Sequence, residues 1–265
     1  MSYIVYRKEK DGYTSFVDNR QKMIDKIRLG YVRLPAGSHY RILSNPYYER
    51  VVVLLEGAFV VSFNNGKRVE KIGPRTDIFT EKAWGVYIPV GEGVNISTES
   101  GCEAVLCWSK AEQRYPVRVI TPHDVTEKTV GSATFKRTVF DIAGADFPAH
   151  RIMLGETVNP AGKWSSFPPH KHDTDRDSAE VELEEVYYFR IQPKSGFGFQ
   201  RIYSPDKQVD TAVVVKHHSA VMIPYGYHPV SASPGYDVYY LWVLAGQQRR
   251  LCPSEDPEHS WITKH

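Results

Sequence analysis

The stretch Trp164-Ser-Ser-Phe-Pro-Pro-His-Lys-His-Asp173, followed by Glu184-Glu-Val-Tyr-Tyr-Phe-Arg190, decides how this chain is read. The Pro168-Pro169 pair forbids helix and favours an extended entry. His170 and His172 are two apart, so in a strand both imidazoles leave the same face. Glu185 opens an apolar, aromatic run that reads as the next long strand. Some 43 residues after Glu185, in Ile223-Pro-Tyr-Gly-Tyr-His228, a third imidazole follows a Pro/Gly turn. Two histidines on one strand, a carboxylate on another and a histidine on a third are a way to close a metal site inside a β-barrel. The expected ligands are His170, His172, Glu185 and His228.

The carboxylate is chosen by alternation. Glu182, Glu184 and Glu185 lie together, but Glu185 shares a strand face with Tyr187 and Phe189, whereas Glu184 goes with Val186. If the Tyr187 face is the barrel interior, Glu185 is the ligand and Glu184 sits at the rim. Three imidazoles and one carboxylate leave coordination positions open, the pattern of a catalytic centre and not of a closed structural one. The set suits one divalent ion, Zn first, with Mn, Fe, Co and Ni also accommodated. An HxH pair alone is a weak signal in a chain with 10 histidines. His217-His218 is expected at an exposed hairpin tip, and His123, His150, His259 and His265 in solvated loops or at the terminus.

Outward from this stretch, short runs of Val, Ile, Tyr and Phe cut by Gly, Pro, Asn and Asp argue for an all-β chain. Glu49–Gly57 and Ala58–Phe63 read as strands, Asn64-Asn65-Gly66 as a tight hairpin turn, and Thr121–Glu127 as a short helix. Asp173–Glu182 is charged and aperiodic and reads as an exposed loop. Val86-Tyr-Ile-Pro-Val-Gly-Glu-Gly-Val-Asn resembles Val221-Met-Ile-Pro-Tyr-Gly-Tyr-His-Pro-Val at an offset of 135, and each is followed by a strand carrying Trp108 or Trp242. Two copies of one small barrel, residues 1–115 and 116–265, account for the length. Gly93 stands in the first copy where His228 stands in the second, so the first is expected to be structural and without metal.

With 42% hydrophobic and 24% charged residues, the composition is that of a soluble globular protein. A formal charge of +2 gives no basis for nucleic-acid or membrane-surface binding, and the longest fully apolar run, Val51–Leu55, is far short of a membrane span. Residues 1–10 carry no signal-peptide pattern, and Cys102, Cys107 and Cys252 read as reduced thiols, so a cytoplasmic location is expected. Exposed sheet edges leave room for a homo-oligomer.

Two small barrels with an HxH…Glu…His set in one resemble a bicupin, a tandem of double-stranded β-helix barrels. More narrowly, Gly155–Asp173, Glu184–Arg190, Gly196–Tyr203, Pro224–Val230 and Gly235–Leu241 are similar to the signature of the 5-deoxyglucuronate isomerase family of inositol catabolism. The resemblance covers essentially the whole chain and implies metal ligands at the same four positions. It departs at Trp242 and Lys163, where the family pattern leads one to expect asparagine. It also implies an aldose–ketose isomerase that converts 5-deoxy-D-glucuronate to 5-dehydro-2-deoxy-D-gluconate, a small sugar acid. Glu184 or Tyr187 would shuttle the proton, and Arg190, Arg201 or Lys171 is near in sequence to pair with the substrate carboxylate. Three other functions compete. They are the ketol-isomerase acting on 4-deoxy-L-threo-5-hexosulose-uronate, a cupin dioxygenase and a sugar-binding cupin without turnover. The first has an HxH-to-Glu spacing that looks shorter than the 12 residues between His172 and Glu185.

Overall fold

The structure, a computed structural model, describes residues 2–63 and 68–263, so the expected Asn64-Asn65-Gly66 turn lies outside the described residues. Nearly everything described is antiparallel β-structure in two units. The C-terminal unit holds a seven-stranded sheet in the order Ile4–Tyr6, Ser219–Ile223, Leu183–Gln192, Asp237–Gly246, Ile152–Asn159, Arg137–Ala143, Thr126–Val130. A four-stranded sheet of Trp164–Ser165, Val230–Ala232, Phe197–Tyr203 and Asp210–Lys216 shares its core. The N-terminal unit is one nine-stranded sheet whose spine is the 16-residue strand Tyr48–Phe63.

That spine was expected as two strands and is one, bent by register shifts between Leu54 and Glu56 and between Gly57 and Phe59. The bend needs Gly57: its φ is +83°, and a Cβ there would fall 2.3 Å from the Gly101 carbonyl oxygen. Bending lets one strand pair with Trp84–Ile88 at its start and with Arg68–Arg75 and Val94–Ser97 at its end.

Apolar side chains form three cores. One fills the N-terminal barrel (Val52, Leu54, Phe59, Ile88, Leu106) and one the C-terminal barrel (Tyr187, Phe189, Ile202, Val230, Leu244). The third lies between the barrels, where Phe16, Tyr31, Val51 and Val53 meet Ile142, Val186, Tyr188 and Leu241. Strand Leu183–Gln192 is therefore covered on both faces: Val186 and Tyr188 point to the seam, Tyr187 and Phe189 into the barrel. This explains why it reads as a continuous apolar run and not as an alternation.

Buried charges also cross the seam, each with partners that offset its desolvation. Arg75 and Glu156 form two 2.8 Å hydrogen bonds with both side chains fully buried, and Tyr239 donates to Glu156 at 2.6 Å. Glu49 accepts the backbone N–H groups of His150, Arg151 and Ile152.

Two expectations are corrected, and a third feature lies across the boundary between the units. Residues 121–127 are not a helix: Asp124 accepts from the Thr121 amide and hydroxyl (2.9 and 2.7 Å), making a tight turn that leads into strand Thr126–Val130. His218 does occupy a turn but is buried, its ring centroid 4.9 Å from Phe16 and 4.5 Å from Tyr31, with Nδ1 2.8 Å from the Tyr188 hydroxyl. The boundary at 115/116 is crossed in both directions. Ile4–Tyr6 pairs with Ser219–Ile223 of the second unit, while Arg118–Ile120 pairs with Trp84–Ile88 of the first.

Candidate metal centre

The site sits inside the C-terminal barrel, and register explains its assembly. Glu185 is opposite Ile223 on one side and Leu244 on the other, which puts its carboxylate near the start of the turn leading to His228. His170 and Lys171 form only a two-residue strand, pairing with Glu255 and Ser254. His172 Nε2 lies 3.3 Å from Glu185 Oε2, and His228 Nε2 lies 3.2 Å from the same oxygen. The ligand atoms of His172, Glu185 and His228 all lie within 4.8 Å of one another. His170 stands beside this trio, less buried, with its ring centroid 5.0 Å from that of His228 and 6.4 Å from that of His172.

Backbone carbonyls orient all three rings. Nδ1 of His170 donates to Pro168 (3.3 Å), Nδ1 of His172 to Leu183 (2.9 Å) and Nδ1 of His228 to Gly226 (2.9 Å). A carbonyl only accepts, so each Nδ1 carries the hydrogen and each Nε2 is left as a ligand atom. The His228 turn is itself fastened: Asp173 accepts the Gly226 N–H at 2.8 Å and pairs with the buried Lys171. Lys171 also reaches the fully buried Glu180 (2.7 Å), so the 173–182 segment, expected to be an exposed loop, is locked down in part.

The electrostatics suit a cation. Burial and the neighbouring His228 and His172 rings push His170 down to about 3. Burial works to raise Glu185, but the facing His172 and His228 override it and hold the carboxyl at about 2. Buried His228 Nε2 has no aligned hydrogen-bond partner among the described residues, although Glu185 is close in distance. An orphaned imidazole nitrogen beside a carboxylate and two further oriented imidazoles is a donor set that a divalent ion fits.

The expected acid–base groups separate. Tyr187 faces the site: its hydroxyl is 3.0 Å from Ser166 Oγ, its ring stacks on Tyr240 at 4.4 Å, and burial next to Glu185 raises its pKa well above the ordinary tyrosine value. Glu184 does not. It points to the seam and accepts the backbone N–H groups of Asp25 (3.1 Å) and Lys26 (2.7 Å) from the other barrel. The three basic residues named for the substrate carboxylate are also turned elsewhere. Arg190 pairs with Glu9 and Glu103 at the seam, Arg201 with Asp210 on the surface, and Lys171 with Asp173 and Glu180.

A pocket of about 260 Å³ opens onto the site. Besides His170, His172, Glu185 and Tyr187, its lining includes Lys128, Arg137, Asp141, Ser166, Tyr240 and Trp242. Lys128, Arg137 and Asp141 went unnoticed in the sequence, although 137, 139 and 141 alternate on one strand face and all line the pocket. Trp242 lies across Gly155, where a Cβ would meet its ring at 2.3 Å, so the tryptophan depends on that glycine.

A tandem of cupin barrels, one with three oriented imidazoles and a carboxylate beneath a polar pocket, is the class that fold and site define. Residues 4–262 match the KduI/IolB family, and the chain belongs to that family. It is 39% identical over 215 residues to the 5-deoxy-glucuronate isomerase of Geobacillus kaustophilus, covering 81% of this chain and 78% of that one. The crystal structure of an IolB-like protein from Salmonella typhimurium superposes with a TM-score of 0.94 at 30% identity, over 99% of each chain. The oxalate decarboxylase of Lactobacillus farciminis shares the fold, with a TM-score of 0.71 at 12% identity, over 100% of this chain and 91% of that one.

Proposed function

We propose that this chain is a metal-dependent aldose–ketose isomerase that converts 5-deoxy-D-glucuronate to 5-dehydro-2-deoxy-D-gluconate in inositol catabolism. The observation that carries the reading is the set of three imidazoles, each turned by a backbone carbonyl to present Nε2 around Glu185. The names of the relatives favour this substrate over the pectin-derived hexosulose-uronate. His170, His172, Glu185 and His228 would hold one divalent ion, Zn first among Zn, Mn, Fe, Co and Ni. When bound, the ion polarises the substrate carbonyl and stabilises negative charge on adjacent oxygens.

The rest falls to the chain itself. Isomerisation moves one proton between neighbouring carbons and one between their oxygens. No electrons leave the substrate, so no oxidant is consumed. Tyr187, kept protonated by burial, donates to a substrate oxygen and takes the proton back, while Ser166 holds its hydroxyl. Asp141 and Glu185 are the carboxylates that line the pocket, which makes Asp141 the carbon base once Glu185 is committed as a ligand. Trp242 and Tyr240 wall the cavity. The setting is a cytoplasmic one, in keeping with three unpaired cysteines.

The test is to incubate metal-loaded protein with 5-deoxyglucuronate and follow the aldehyde resonance by NMR. Loss of the aldehyde without oxygen uptake is expected, abolished by a chelator and by His170→Ala, and slowed about 10²-fold or more by Tyr187→Phe. Oxygen consumption would identify a dioxygenase instead, and activity that survives chelation would remove the metal.

A further inference from the structure

We propose that Arg137 is the specificity residue of this pocket and binds the carboxylate of the sugar acid through the Nε–Nη2 edge of its guanidinium. The assignment deepens the isomerase reading and rests on it for the identity of the substrate. Arg137 opens the strand Arg137–Ala143, opposite Val130 on the hairpin wall, and lines the same pocket as His170, His172 and Glu185. Its Nη1 donates to the Phe135 carbonyl at 3.1 Å and to the Phe167 carbonyl at 3.2 Å. These two bonds hold the planar group in place. Phe167 lies in the same stretch as the HxH pair, so one segment places both the anchored cation and the imidazoles.

What sets Arg137 apart is its missing counter-ion. The other cation of the wall, Lys128, is paired with Asp141. Arg190, Arg201 and Lys171 each have carboxylate partners away from the pocket. Among the described residues, Arg137 has no carboxylate within ion-pair distance, and its Nε and Nη2 have no protein partner. A fixed guanidinium with one edge free is suited to bidentate recognition of a carboxylate, a geometry an ammonium cannot reproduce. In the proposed substrate the carboxylate and the aldehyde are at opposite ends of the carbon chain. One pocket therefore holds a charged handle for one end and the imidazole cluster for the other. A neutral aldose would find only the second.

The experiment compares wild type, Arg137→Gln, Arg137→Lys and Lys128→Gln on two probes, D-glucuronate and D-glucose. Binding to metal-free protein is measured by ligand-observed NMR, and turnover of 5-deoxyglucuronate by loaded protein is measured in parallel. Wild type is expected to bind glucuronate in preference to glucose, and Arg137→Gln to lose that preference while its glucose binding is unchanged. In turnover, KM should rise about 10- to 100-fold with a smaller change in kcat, Arg137→Lys recovering part of the loss. Lys128→Gln, whose cation is already paired, should move KM less. Undiminished preference for glucuronate in Arg137→Gln, or an equal loss for both sugars, overturns the assignment. The two readings fail separately. Wild type that does not isomerise 5-deoxyglucuronate, with the glucuronate preference still dependent on Arg137, removes the isomerase and keeps the carboxylate site. Turnover with no such dependence does the reverse.

Discussion

The interiors of the two barrels differ at one decisive position. Glu185 is opposite Ile223 in the second barrel; 135 residues earlier, Arg50 is opposite Ile88 in the first. Arg50 is fully buried and donates to the carbonyls of Leu43 (2.7 Å), Pro89 (3.0 Å) and Glu92 (2.7 Å). Where one barrel gathers imidazoles about a carboxylate, the other holds a guanidinium that ties its end loops together. The neighbouring positions follow suit. Val52 and Leu106 stand in register where Tyr187 and Trp242 stand in the second barrel, and Gly93 replaces His228, with Ser44 N only 2.9 Å from where a Cβ would be. One scaffold thus supports two ways of furnishing a barrel interior, with a fixed side-chain cation or with imidazoles gathered about a carboxylate.

This contrast can be tested by metal analysis. One ion per chain is expected, lost together with activity (about 10³-fold or more) in His172→Ala, where one ligand is missing. A second ion per chain would end the contrast. Replacing Arg50 by Met, which leaves three carbonyls without their donor, should cost about 3 kcal/mol in urea denaturation. Metal content and kcat of that variant should stay unchanged below its melting transition, and a loss of metal would show that the Arg50 network reaches the imidazole cluster.

The seam between the barrels supplies two smaller effects. Burial pushes His218 down to about 3, with Arg190 adding to the shift, so the unfolded chain takes up a proton there that the folded one refuses. Stability on this account is full above about pH 6.5 and falls as pH drops towards 3, by about 2 kcal/mol between about pH 7 and pH 4.5. His218→Phe should flatten that acid limb in denaturation curves, and an unchanged limb would place the titration elsewhere. Glu184→Gln should lower stability by about 1 kcal/mol by weakening the bonds from the Asp25 and Lys26 amides, while kcat stays at the wild-type value. A large fall in kcat would return Glu184 to the chemistry.

The cluster of three imidazoles and a carboxylate was legible in the sequence because its signals are local: an HxH pair, the head of an aromatic strand and the residue after a Pro/Gly turn. The choice of Glu185 over Glu184 followed from alternation along one strand, and the structure places these two carboxylates on opposite faces. The rest of the pocket was hidden because its wall comes from Thr126–Val130 and Arg137–Ala143, which reach the site only through the register of three further strands. Reading 121–127 as helix concealed the first of these, since Thr and Pro open turns as readily as helices. The burial of His218 was not visible either, because its cage includes Phe16 and Tyr31 from the distant first barrel.

Strand Ile4–Tyr6 finishes the edge of the C-terminal barrel, with the Tyr3 carbonyl accepting the Met222 N–H at 2.8 Å and the Tyr3 hydroxyl 3.1 Å from that of Tyr225. During synthesis residues 4–6 have to wait until residues beyond 225 have left the ribosome before they find their place. The two barrels are therefore not separable modules: a cut at the midpoint strips each of an edge strand, and removal of residues 3–6 would be felt at the turn that carries His228.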